Sequence, residues 1–341
     1  MKLKSGKSFW IYSVFFTLLN RFSLVLFGVA GYIILAKKVF PTAREMGVWA
    51  LFTSIIALIE TIKQGLLRNP MIKFLSEPEY VNNRNKIQSA SLLTNMAFSL
   101  LSILCIVAGG HLLVKWLNSP DLYPLIQWGM LLIILLIPFN HFEVLLQAHF
   151  KFRQIFIGYF FRQGVFLTCV ILLLIFHRSS LTLINLVKLQ ILALAGGMLV
   201  LLYFAKEYFY RKFDTEKKTI LRMFHFGKYI FGTNVFSAFG RSADQFITAG
   251  LISSEVVAYY NVVSRINNMM DVPSVAVADV LFPKNVEAVA SSGEEKVRYY
   301  FERMVGNIIS IIVPISLLIF IMPHLFISLI AGSKYYPAIP I

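Results

Sequence analysis

Charged side chains set inside long apolar stretches are the residues with the most chemistry to offer in this chain. Arg21 lies near the middle of an apolar run from Phe9 to Ala36, and Lys63, Arg162, Lys188, Arg241 and Arg265 lie within others. Glu60, Glu143, Asp244, Asp271 and Asp279 are acidic groups in similar settings. A charge at the centre of a bilayer costs about 2.5–3.5 kcal/mol on insertion scales. A chain that repeats this from span to span points to a polar cavity inside a helical bundle. Glu60 with Lys63, and Arg241 with Asp244, are spaced by three residues, which puts each pair on one helix face within reach. Such a pair can neutralise itself and glue helices, or its carboxylate (Glu60 or Asp244) can hold a coupling ion. Arg21 and Arg265 have no acidic neighbour at that spacing and are candidates for an anionic ligand. Arg162 and Lys188 lie nearer span ends, where long side chains snorkel to the interface. With Lys228 and Arg303 included, eight basic groups face five acidic ones within the spans. A cationic interior favours an anion, and the forked donors of Arg suit phosphate or pyrophosphate oxygens. The substrate-contact candidates are therefore Arg21, Lys63, Arg241 and Arg265.

The polar residues fall on stripes. Ser13, Thr17, Asn20, Arg21, Gly28 and Gly31 share one face of the first span at about 100° per residue. Asn261, Arg265, Asn268 and Asp279 do the same on a later one, with Asp271 at its edge. Enzyme signatures are missing. Gly6-Lys7-Ser8 lacks the preceding glycine of a phosphate-binding loop and leads into an apolar span rather than following a strand. There is no HExxH, GxGxxG or GxSxG sequence, and the histidines, among them His141 two residues before Glu143, show no metal spacing. Cys105 and Cys169 have no CxxC partner. No catalytic residue, metal or cofactor is expected, and any uphill transport would draw on an ion gradient.

The elements that must carry these residues are membrane helices. The chain is 57% hydrophobic, 14% charged and contains 31 Phe and 15 Tyr, against about 45–50% apolar and 25% charged in soluble domains. The net charge of +15 gathers in short loops, with no zinc-finger, helix-turn-helix or aromatic–basic stacking surface outside the spans. This argues for membrane lipid rather than nucleic acid as the partner. About 20 apolar residues cross a bilayer as a helix. Nine spans are predicted, at 9–36, 46–67, 88–113, 122–147, 154–176, 181–205, 223–250, 255–280 and 303–331, with Pro138, Pro273, Pro314 and Pro323 marking kinks. The first is too long for a signal-peptide core. Loops on the N-terminal side hold 18 Lys and Arg, against 6 on the other (Lys37, Lys38, Arg44, Lys115, Arg178 and Lys334). That bias predicts a cytoplasmic N-terminus. The basic stretch 206–222 divides an N-terminal lobe, 1–205, from a C-terminal lobe, 223–341. A faint repeat at an offset of 211 sets Pro41–Trp49 over Ile252–Tyr260, as parallel repeats would. Ala331-Gly332-Ser333-Lys334-Tyr335-Tyr336-Pro337 reads as the lead-in to a further helix, so the second lobe is expected to be truncated.

Several stretches match the layout of one family. These are Lys37-Lys38-Val39-Phe40-Pro41-Thr42-Ala43-Arg44-Glu45-Met46-Gly47-Val48-Trp49 and Gln64-Gly65-Leu66-Leu67-Arg68. Further on come Arg241-Ser242-Ala243-Asp244-Gln245, Val257 to Ile266, Leu281-Phe282-Pro283 and Ala331 to Tyr336. The chain resembles the polysaccharide (Wzx-type O-antigen and capsule repeat-unit) flippases of the multidrug/oligosaccharidyl-lipid/polysaccharide exporter superfamily. The resemblance implies an all-α polytopic membrane protein with two pseudo-symmetric six-helix lobes, about nine of twelve or more helices being present here. It implies a multi-pass bacterial inner-membrane protein that flips undecaprenyl-pyrophosphate-linked oligosaccharide by alternating access, driven by a proton or sodium ion, beside polysaccharide assembly proteins, for capsule or lipopolysaccharide O-antigen. It also implies important basic residues on early helices and on the eighth, which suits Arg21, Lys63 and Arg265. Alternatives are a drug or organic-ion exporter of the same superfamily, a lipid-using glycosyltransferase or polymerase, and a non-transporting scaffold of envelope assembly. The basic interior argues against the exporter. The lack of a large loop or an acidic cytoplasmic motif argues against the enzyme.

Overall fold

A backbone immersed in hydrocarbon must satisfy its own N–H and C=O groups, and a helix does so within one segment. The computed structural model describes residues 7–76, 83–209, 213–270 and 294–341, and among them there is no strand. The helices are α1 (Lys7–Ile34), α2 (Ala43–Ser76), α3 (Arg84–Trp116), α4 (Leu122–Ala148) and α5 (Phe152–Phe176). They continue as α6 (Leu183–Ala205), α7 (Lys217–Leu251), α8 (254–270), α9 (Glu294–Ile321) and α10 (Pro323–Ile330). Helices α1 to α6 are each long and apolar enough to cross a membrane, in register with the first six predicted spans. The chain is a multi-pass membrane protein. Leu100, Leu104 and Val107 on α3, and Phe236 on α7, are exposed on the bundle's outer surface, as lipid-facing residues are.

The later spans differ from expectation. The seventh lies inside α7, whose first turns include Lys217, Lys218 and Arg222, assigned to a loop by charge alone. The eighth is described only to residue 270, so Asp271, Pro273, Asp279 and Leu281-Phe282-Pro283 lie outside the described residues. The ninth is broken by a sharp bend. Ile308–Ile321 and Pro323–Ile330 meet at 93°. Pro323 has no N–H to continue the helix before it, and its fixed φ suits the first position of α10. Pro314, Pro138 and Pro70 stay inside continuous helices. Six described helices, or seven if the bent pair is one span, meet the membrane criterion, where nine spans were expected.

The ends of the helices follow from local chemistry. A π-helical turn, Leu35–Val39, buries Leu35, Ala36 and Val39 and leaves Lys37 and Lys38 exposed. The start of α2 is a reciprocal cap: Glu45 N–H donates to Thr42 Oγ1 at 3.4 Å and Thr42 N–H to Glu45 Oε2 at 3.5 Å. Thr182 Oγ1 accepts from Asn185 N–H at 3.3 Å to begin α6. The connection from α6 to α7 is fastened to the start of α3. Gln88 Nε2 donates to the Tyr208 carbonyl at 2.9 Å, Asp214 N–H to Ser89 Oγ at 3.1 Å, and Lys86 pairs with Glu216. That ammonium holds the Glu216 carboxyl below the usual carboxylate range.

Helix α4 is central to the first six, packed by α2, α3, α5 and α6. Helix α2 then carries α7 along its length in the opposite direction. Gly227 sits against Pro70 and Leu66, Asn234 Nδ2 donates to the Thr61 carbonyl at 3.0 Å, and Ser54 Oγ donates to Gln245 Oε1 at 2.5 Å. At the other end α2 meets the start of α8. A Cβ on Gly47 would lie 1.6 Å from the Ser254 carbonyl oxygen. Small residues at such crossings let membrane helices approach backbone to backbone.

Gly47→Ala must therefore push α8 from α2, at a cost of about 1–3 kcal/mol, and should lower the melting temperature of the detergent-purified protein. Gly109→Ala, with nothing within 4 Å of its added Cβ, should leave that temperature unchanged or raise it. Equal melting temperatures for the two variants would contradict the close crossing.

Candidate functional site

The face of α1 that carries Arg21 continues to Gly28 and Tyr32, seven and eleven residues on, which is near-eclipsed at helical spacing. Against that face lies Arg265 of α8. Its guanidinium is 5.4 Å from the centre of the Tyr32 ring, and its Nη1 is 3.9 Å from where a Gly28 Cβ would be. Gly28 is the residue that makes room. No carboxylate pairs with Arg265 among the described residues; its contact is the π face of Tyr32, an attraction of about 0.5–2 kcal/mol. The Tyr32 hydroxyl and the Asn261 Oδ1, one turn before Arg265, are buried and have no hydrogen-bond partner among the described residues. Ser13 Oγ and Asn20 Oδ1 on α1 are in the same condition. Arg21 is exposed, about 10 Å along the axis from Gly28 at about 1.5 Å per residue. The α1–α8 seam thus holds the Arg265 guanidinium beside the unsatisfied Tyr32 hydroxyl and Asn261 Oδ1, and Arg21 shares the Gly28 and Tyr32 face of α1. Sequence spacing had marked Arg21 and Gly28; Tyr32 was missed, although its eleven-residue offset from Arg21 puts it on the stripe.

Lys63 is placed elsewhere. It is fully buried between α2 and α3, where Nζ donates to Ser99 Oγ at 3.3 Å. Ser99 Oγ lies 3.5 Å from Asn95 Oδ1, and Asn95 Nδ2 donates to the Ile137 carbonyl at 3.1 Å. The Glu60–Lys63 pair is not closed by a direct hydrogen bond, and Glu60 is half-buried beside it. The contact that the structure gives Lys63 is thus this interhelical one, with no surface of the ammonium exposed. Deeper in the same half, Tyr159 donates to Glu143 Oε2 at 2.9 Å and Arg68 Nε to Gln147 Oε1 at 2.9 Å. Asn140 and His141 are buried there with side-chain polar atoms unpartnered among the described residues.

The Arg241–Asp244 pair also separates. Both are exposed on α7, and Asp244 Oδ2 instead accepts from the Tyr260 hydroxyl of α8 at 2.6 Å. Three further span cations lie on rings: Arg162 is 5.1 Å from the Phe139 centroid, Lys188 4.9 Å from that of Trp128 and Lys228 4.9 Å from that of Tyr229. The side chain of Arg303 is outside what is described. Of the predicted residues, then, the structure brings Arg21 and Arg265 to one face of α1. It does not bring Lys63 or Arg241 to them. A separate cavity of about 520 Å³ between α8, α9 and α10 is lined by apolar residues such as Val263, Ile266, Met270 and Phe320, and holds none of the predicted groups.

A family model described as polysaccharide biosynthesis protein matches residues 40–340. No curated protein matches the sequence. The fold is similar to that of a multidrug resistance transporter of the MATE family, MOP superfamily, solved in an inward-facing conformation. The TM-score is 0.71, over 93% of this chain and 75% of that one, at 12% identity. At that identity the likeness is one of fold.

A structural role for Lys63 has a measurable signature. Ser99→Ala removes the hydroxyl that the buried ammonium uses and should destabilise the protein by about 1–3 kcal/mol. Lys63→Met replaces the charge with an apolar chain of similar length in an apolar setting and should be neutral or stabilising. In the Lys63→Met background Ser99→Ala should then cost little. A large, unchanged cost there would show that the two side chains are not coupled.

Proposed function

Since the chain belongs to the polysaccharide biosynthesis protein family, we propose that it moves a lipid-linked oligosaccharide across a membrane. The cargo is an undecaprenyl-pyrophosphate-linked repeat unit, and the membrane is the bacterial inner membrane, crossed with the N-terminus on the cytoplasmic side. The protein acts by alternating access rather than by catalysis. The observation that carries this reading is the Arg265 guanidinium, held in the α1–α8 seam on the face that also bears Arg21. Arg offers several N–H donors in a planar fork, and pyrophosphate oxygens accept them in pairs. In a low-dielectric seam such bonds are stronger than in water. The Tyr32 ring orients the guanidinium from one side and leaves its edges for the anion. A seam with this charge repels the organic cations that a drug exporter would carry.

Coupling is assigned to carboxylates rather than to a nucleotide. Asp244, hydrogen-bonded to Tyr260 across α7 and α8, can take up a proton or sodium ion and exchange that bond for another. Glu60 is the second such group, on α2. One charge crossing about 100 mV supplies about 2.3 kcal/mol. Arg241 lies one turn from Asp244 on the exposed side of α7 and is positioned to attract the headgroup rather than to clamp it. The division into lobes at 1–205 and 223–341 supplies the two bodies that alternate.

The test is complementation of a strain lacking its polysaccharide flippase. Arg21→Ala and Arg265→Ala should each reduce surface polysaccharide at least tenfold at normal membrane levels of the protein, in line with about 1.5–3 kcal/mol for hydrogen bonds to a charged group. Arg265→Lys should recover only part of the loss, because it keeps the charge and loses the fork. Normal export by both alanine variants would sink the cavity reading.

A further inference from the structure

The basic residues on the far end of the bundle are not spread evenly. Of the six in those loops, Arg44 pairs with Asp121 at 3.1 Å and Lys115 lies in the last turn of α3. The other four, Lys37, Lys38, Arg178 and Lys334, line one polar cavity of about 350 Å³ with Phe40 and Gly332 among its walls. Among the described residues no acidic one lines it. Three separate segments supply the cations: the π turn after α1, the turn after α5 and the turn after α10. Their hydrogen bonds hold them in place without cancelling their charge. Arg178 Nη2 donates to the Lys38 carbonyl at 3.2 Å, and Lys334 Nζ donates to the Phe40 carbonyl. Glu45 is the acid within electrostatic reach of Lys334, and its carboxylate is turned into the Thr42 cap. Partial burial holds the Lys334 ammonium below the ordinary lysine range, which a bound anion would reverse. Gly332 has φ +96°, a conformation open to glycine at little cost. It folds the Lys334 segment back so that a Cβ there would be 3.7 Å from Lys37 Cγ.

We propose that this cavity binds a phosphate or pyrophosphate group, presented on a lipid headgroup at the membrane surface or free in solution. Four converging cations and no lining acid match a small polyanion, and the Arg fork matches its oxygens. Because Lys334 comes from the C-terminal segment and the other three from the first half, a bound anion ties the two parts together at this end of the bundle. Under the transport reading it is the site at which a delivered headgroup is held before release. That role rests on the transport reading, whereas the binding does not.

The binding is read on the full chain, purified in neutral detergent at low salt, by the shift in melting temperature on titration with inorganic pyrophosphate. The wild-type protein should show saturable stabilisation. Lys37→Gln/Lys334→Gln should weaken it at least tenfold, Lys37→Arg/Lys334→Arg should retain it, and Lys206→Gln/Lys218→Gln, at the opposite end, should match the wild type. No stabilisation of the wild type, or equal affinity in the Lys37→Gln/Lys334→Gln variant, overturns the proposal. In phosphatidylcholine nanodiscs containing phosphatidic acid, a site filled by lipid phosphate should show pyrophosphate affinity at least tenfold lower in the wild type only. Unchanged affinity assigns the site to free phosphate. No flux is measured, so a failure here is distinct from a failure of export.

Discussion

A charge carried into hydrocarbon has no water to solvate it, so the protein must supply its partners, and in this chain that requirement decides which helices touch. Lys63 on α2 is solvated by Ser99 on α3, Glu143 on α4 by Tyr159 on α5, and Asp244 on α7 by Tyr260 on α8. Arg162 and Lys188 lie over the Phe139 and Trp128 rings of α4. Each of these charges is met by a group on a neighbouring helix, whereas Lys228 lies over the ring of its sequence neighbour Tyr229. Association of helices in lipid lacks the hydrophobic drive it has in water, so such polar contacts and close packing carry it.

Close packing is concentrated on α2. Gly47 lets the start of α8 approach by its backbone, and Gly65 and Gly227 do the same for α7, where a Cβ on Gly65 would lie 2.8 Å from the Phe231 Cα. The same helix packs on α3 and α4 of the first half. Helix α2 is therefore the wall against which α7 and α8 are set. Any rearrangement of the second part of the chain must slide along these glycine contacts. The polar bonds that cross them, Asn234 to Thr61 and Ser54 to Gln245, must also be exchanged.

Helix α1 carries the other half of the argument. Along one face it passes from Arg21 to Gly28 and Tyr32 beneath Arg265, and the π turn that follows it carries Lys37. The seam on α1 and the cavity beside the turn after it each take a cation from the second part of the chain, Arg265 and Lys334.

The membrane class, the first six helices and the identity of the charged residues were legible in the sequence, because apolar length and the cost of burying charge are local properties. The stripe of Arg21 and Gly28 was legible for the same reason, since helical periodicity is set by the backbone. The break at Pro323 was only half legible. Proline at a span centre marks a weak point, but Pro314 and Pro138 stay within helices, and the neighbours decide which proline bends. Partnership was legible only in part. Glu60 does act on Lys63 through its charge, but the hydrogen bonds of Lys63 and Asp244 go to Ser99 and Tyr260. The reason is that spacing along one helix says nothing of the group that a neighbouring helix brings alongside. The meeting of Lys37, Lys38, Arg178 and Lys334 likewise depends on chain ends brought together by the whole fold. The amino-acid order determined that this chain enters a membrane with charges aboard; only the tertiary structure decided which of them are met by a neighbouring helix, because those contacts join residues far apart in sequence.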